Sequence, residues 1–120
     1  MISFIQKYWL YLTFLLLTTI ASLSLWPADQ LPNVPGTDKT HHFIAYAALA
    51  FPAVLRKPKN WQVLLFIFML FSGLIELIQP FVNRYGEWLD MLANAFGLFC
   101  GFTLAQTVLF LQVKKSSNEN

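Results

Sequence analysis

Charge is what this chain has least of. Of its 120 residues, 8 are Lys or Arg and 6 are Asp or Glu, which is 12% charged, where a soluble globular domain averages about 25%. So few charges do not supply the polar surface that a water-soluble domain of this length needs. Cysteine is almost missing as well. Cys100 stands alone in an apolar run, which excludes an intrachain disulfide and fits a small buried hydrophobe better than a reactive thiol. The chain also lacks polar–apolar alternation, and its long apolar runs fit strands poorly. It has no internal repeat or low-complexity tract, no H-E-x-x-H pair, no phosphate loop and no nucleophile motif. No cofactor, metal or nucleic-acid partner is therefore expected.

What is present is hydrophobic, 57% of the residues, and it is clustered. Tyr8 to Trp26 is 19 residues without a charge, and Met91 to Val113 is 23. Roughly 20 apolar residues at about 1.5 Å each cross a bilayer core. The expected fold class is all-α: an integral membrane bundle of four transmembrane helices forming one domain over residues 1–120. The spans are expected at about Lys7–Trp26, Lys39–Leu55, Trp61–Gln79 and Leu89–Val113. The first uncharged run exceeds the apolar stretch of about 7–15 residues typical of a cleaved signal peptide, so it is read as a retained span.

Breakers separate the spans. Pro27, Pro32, Pro35 and Gly36 predict a non-helical loop over Pro27 to Thr37. Pro58 marks the basic turn "RKPKN". Pro80 disfavours helical geometry at Gln79, and Asn83 with Gly86 predicts a turn. Pro52 interrupts the second span, the shortest of the four. The tail "KKSSNEN" is polar and is expected to be disordered. Lys and Arg set the direction. With the N-terminus inside, Lys7, Arg56, Lys57, Lys59, Lys114 and Lys115 fall on the cytoplasmic side, and only Lys39 and Arg84 fall outside. Trp9 and Trp61 then sit at the inner interface, Trp26 and Trp88 at the outer one. The expected location is the bacterial inner membrane, multi-pass, with both termini cytoplasmic.

Polar residues collect at the outer ends. Asp29, Asp38, Glu76, Glu87 and Asp90 all fall there, joined by His41 and His42. Asp38, His42 and Tyr46 are successively four apart and share a helix face. Glu76 and Gln79 are three apart on the third span. Asp90, Asn94, Gly97 and Gly101 are spaced four, three and four, and at about 100° per residue they form one stripe. Its lower half is G-x-x-x-G, a device for close helix approach. Taken singly, each residue has a plain structural explanation: Asp38 and Asp90 cap helix N-termini, Glu76 pairs with Arg84 or Lys39, and His42 lies at an interface. Glu76 is the hardest to dismiss, because a carboxylate within an apolar segment costs about 2.5–3.5 kcal/mol at a bilayer centre unless it is partnered.

These residues resemble the VanZ-like family of small bacterial membrane proteins. "DKTHHFIAY" supplies the Asp-Lys pair with its His and Tyr as Asp38, Lys39, His42 and Tyr46. "ELIQPFVNR" supplies Glu76, Gln79 and Arg84, and "DMLANAFGLFCG" supplies Asp90, Asn94, Gly97 and Gly101. The likeness runs from Asp38 to Gly101, and His41 has no counterpart in the pattern. It implies a cell-envelope protein, and the family takes its name from a protein that gives low-level resistance to the glycopeptide teicoplanin.

Three functions compete. The first is a non-enzymatic membrane protein whose outer polar cluster binds a lipid head group or a lipid-linked envelope precursor, with Lys39 and Arg84 on a phosphate and Tyr46 lining the site. The second is an enzyme on a lipid-linked substrate, with His42 as base, Asp38 orienting it and Glu76 as a second acid/base group, or with these Asp, His and Glu side chains holding a divalent metal instead. The third is a small transporter using Glu76, His42 and Asp90 as a proton relay. Four helices would need a homo-oligomer to enclose such a path.

Overall fold

Long apolar runs leave the backbone few outside partners, so they satisfy their peptide groups internally as helix. The computed structural model describes residues 1–26, 38–82 and 88–119, with the backbone alone for Asp38. Its elements are α1 (Ile2–Lys7), α2 (Trp9–Ser24), α3 (Asp38–Arg56), α4 (Trp61–Ile78) followed by a 3-10 turn over Gln79–Val82, and α5 (Trp88–Glu119). No strand occurs among the described residues.

The all-α expectation holds among the described residues, and the expected boundaries fail at particular residues. The first span begins at Ile2 and breaks at Tyr8, whose backbone sits at φ −106°, ψ 23°. Neither Pro nor Gly marks that break. Pro52 does not interrupt α3, which runs through it and buries it. Gln79 keeps right-handed helical geometry (φ −51°, ψ −41°) despite the proline after it, because the chain tightens into a 3-10 turn there. The tail is helical to Glu119: once a helix exists, each further residue adds one hydrogen bond for one residue fixed. The loop at 27–37 and the turn expected at Asn83 and Gly86 lie outside the described residues.

Two stretches are long and apolar enough to cross a membrane, Trp61–Val82 and α5. α2 is apolar but has only 16 residues. These helices turn large side chains outward. Phe14, Leu15, Phe66, Leu70, Leu77, Phe96 and Phe99 are all exposed. The least apolar of the long helices, α3, is instead the most enclosed, with Tyr46, Leu49, Ala50, Ala53, Val54 and Leu55 buried. The core forms where Ile20 of α2 and Phe68 and Ile75 of α4 close on this face.

α3 and α5 share the most extensive helix–helix contact. They run parallel, because Phe43 and Ala47 meet Gly97 while Ala47 and Ala50 meet Gly101. A Cβ placed on Gly97 would collide with the carbonyl oxygen of Phe43 and lie 3.1 Å from the Ala47 nitrogen. One on Gly101 would collide with the Ala47 carbonyl and lie 3.0 Å from the Ala50 Cβ. The backbones therefore touch, and only glycine permits it.

Gly97→Ala should destabilise the fold. Alanine in a helix interior would otherwise gain about 1 kcal/mol over glycine. Overpacking costs about 1–3 kcal/mol and opposes that gain. A lowered thermal midpoint of the detergent-purified protein is expected. A raised midpoint would mean that the two helices do not touch at Gly97.

Candidate functional site

The parallel pairing of α3 and α5 brings like depths together. At the head of the pair, Lys39 Nζ lies 3.7 Å from Asp90 Oδ1, with the amine half exposed and the carboxylate buried. One turn deeper, His42 Nδ1 lies 3.1 Å from Asn94 Oδ1. The Asn94 amide then donates through Nδ2 to Ser72 Oγ on α4. Ser72 is hydrogen-bonded in turn to the Tyr46 side chain, and Glu76 is buried one turn further along α4. Three helices thus share one polar chain: His42, Asn94, Ser72, Tyr46.

The chain is dry below its mouth. Tyr46, Ser72, Gln79 and Asn94 are each 1% exposed or less, and Glu76 is 8% exposed. His42 and His41 are half-buried. An isolated amide or hydroxyl moved into an apolar setting costs about 2–7 kcal/mol, so at this depth each group needs another. The bonding also assigns the imidazole proton. With Asn94 donating through Nδ2 and accepting at Oδ1, His42 carries its proton on Nδ1 when neutral, which leaves Nε2 as the basic nitrogen.

Of the residues singled out from sequence, the structure joins Lys39 with Asp90 and His42 with Asn94, and buries Tyr46 and Glu76. Gln79 belongs to a neighbouring contact: its Nε2 donates to the Ser24 carbonyl, 3.1 Å away, and ties the end of α4 to the end of α2. Gly97 and Gly101 are spent on α3. Arg84, Asp29, Glu87 and the side chain of Asp38 lie outside the described residues. Among the described residues no three His, Cys, Asp or Glu side chains gather as a metal site requires.

Sequence reasoning missed Ser72, which is fully buried at the junction of the network. A signal was there. Ser72, Glu76 and Gln79 follow at four and three, so the polar residues of α4 lie along one face of an otherwise apolar helix.

Residues 2–111 match the family described as VanZ/LLP1. Neither a curated protein nor a solved structure matches the chain.

Ser72→Ala should strand both the Asn94 amide and the Tyr46 hydroxyl. A buried group left unsatisfied costs about 1–3 kcal/mol in proteins generally, whereas interhelical hydrogen bonds in membranes average about 0.6 kcal/mol. Stranding two groups at once puts the expected loss near 1 kcal/mol. Adding Asn94→Leu should cost less than the sum of the two single changes in a double-mutant cycle of thermal stability. Strict additivity would show that the two residues do not interact.

Proposed function

The chain belongs to the VanZ/LLP1 family, and on that premise we propose that it is a multi-pass protein of the bacterial cytoplasmic membrane whose polar cluster binds a phosphate-bearing lipid head group or lipid-linked envelope precursor. α1 with α2, then α3, α4 and α5, form the four crossings of this reading. The outward-turned Phe and Leu side chains of α2, α4 and α5 supply the lipid-facing surface. Lys and Arg counts put both termini inside, and the cluster then lies toward the outer leaflet.

The observation that carries the binding reading is the hydrogen-bonded floor from His42 through Asn94 and Ser72 to Tyr46, with Lys39 half exposed beside Asp90 at its mouth. The buried groups are spent on one another and hold His42 in a fixed position beside Lys39, so the ordering cost of binding at the mouth falls. The Lys39 amine supplies the cation that a phosphate requires. Occupying such a head group at the outer leaflet is also how the protein would alter glycopeptide susceptibility.

A second reading, catalysis on a lipid-linked substrate, is favoured by one bond. The contact from His42 Nδ1 to Asn94 Oδ1 orients the ring and leaves Nε2 basic, as general-base chemistry requires.

His42→Ala separates function from scaffolding. With the protein expressed in a susceptible host, the change should abolish its effect on teicoplanin susceptibility per molecule, measured against membrane abundance, which the loss of one interhelical hydrogen bond, about 0.6 kcal/mol on average, lowers only modestly. Lowered abundance with unchanged effect per molecule would make His42 structural.

Orientation has its own test. With Cys100 replaced by Ala, single cysteines at Asn60 and Asn83 should label from the cytoplasm and from outside, respectively. The reverse pattern would overturn the assignment.

A further inference from the structure

The opposite end of the bundle has its own arrangement, which the cluster around His42 does not use. α4 and α5 meet there along an open apolar groove of about 200 Å³ lined by Trp61, Leu65, Leu98, Phe99 and Phe102. Trp61 stacks on Phe102, with ring centroids 5.2 Å apart, and forms the upper wall. Phe99 is exposed on the outer lip.

A cation closes the mouth. The residue after α3, Lys57, adopts a left-handed backbone (φ 52°), which few non-glycine residues take. Its Nζ lies 6.0 Å from the centre of the Trp61 ring and 3.4 Å from Gln106 Oε1 on α5. Lys57 therefore reaches from Trp61 of the groove to Gln106 on α5, one turn beyond Phe102. Arg56 and Lys59 flank it, both exposed. The acidic residues of α4 and α5 are Glu76, Asp90 and Glu119, and none of them lines the groove.

We propose that this groove is a site for one anionic glycerophospholipid. An acyl chain lies between Trp61 and Phe99, and the phosphate meets Lys57 and Lys59. The apolar walls suit a hydrocarbon chain and nothing polar. The cations at the mouth call for an anion, and Trp61 places an amphipathic ring at the level where chain gives way to head group. The inference rests on the membrane reading above but not on what the His42 cluster does.

The test uses the delipidated full-length protein in detergent, with native mass spectrometry counting retained lipid. Phosphatidylglycerol and phosphatidylcholine of identical chains are supplied in turn. Wild type should retain one phosphatidylglycerol in preference to phosphatidylcholine. Each juxtamembrane lysine contributes roughly fivefold to the binding of anionic lipid, so K57Q/K59Q should lose most of that preference. K114Q/K115Q removes the same charge from the far end of α5 and should keep it. Phe99→Ala leaves the lysines in place and widens the groove, and should lower retention of both lipids. His42→Ala should change nothing here, which keeps failure of this site distinct from failure of the proposed function. Equal retention of the two lipids by wild type, an equal loss in the two lysine pairs, or displacement of the lipid by inorganic phosphate alone would overturn the proposal.

Discussion

Backbone contact between α3 and α5 at Gly97 and Gly101 is the constraint on which the rest depends. Because the two helices touch and run parallel, residues at similar depths on them must meet: Lys39 with Asp90, His42 with Asn94, and at the far end Lys57 with Gln106. A bulkier residue at either glycine would separate the helices along the whole seam, and the polar contacts above it would lengthen with them. Small residues therefore act here at a distance. They set the spacing at which a histidine and an asparagine, a turn or two away, can share a hydrogen bond.

That seam also explains why the most polar-headed helix is the most buried. α3 brings Lys39, His41, His42 and Tyr46 into a chain that has few other polar groups to offer them. Packing against α4 and α5 gives Lys39, His42 and Tyr46 their partners Asp90, Asn94 and Ser72, while the more apolar helices take the outer positions. The fold is in this sense inverted relative to a water-soluble domain, where the most apolar helix would occupy the centre. The inversion is what a hydrocarbon surrounding asks for, since apolar side chains lose nothing there and unsatisfied polar ones lose a great deal.

Much of this was legible in the sequence, and the misses have physical reasons. Apolar runs and the breakers between them placed α3, α4 and α5 to within about two residues at most ends. The spacing of Asp90, Asn94, Gly97 and Gly101 put them on one stripe, and the structure turns that stripe to α3. Spacing could not say which helix the stripe would face, because a face is a property of one helix and pairing is a property of two. Ser72 escaped because one small hydroxyl in an apolar run looks like packing until its neighbours are known. The break at Tyr8 and the helical tail escaped for a related reason: neither has the Gly, Pro or charge pattern from which a boundary is read, and propagation along α5 outweighs the modest preferences of its last residues.

The enclosure of α3 has a consequence for synthesis. Ribosomes deliver the chain from its N-terminus, so α3 is made well before α5, the partner that touches its backbone and accepts its histidine. Between the end of one and the start of the other lie 31 residues, and α4 must be threaded during that interval. For all that time the carboxylate-, amine- and imidazole-bearing head of α3 lacks the groups that later complete it. On the membrane reading proposed above, a nascent helix in this position would gain by lingering at the exit of the insertion machinery, where water is near, and by entering the bilayer only once α5 has arrived. A chain truncated before Asn94 would lack Gly97, Gly101 and the partner of His42, and with them the seam against which α3 packs.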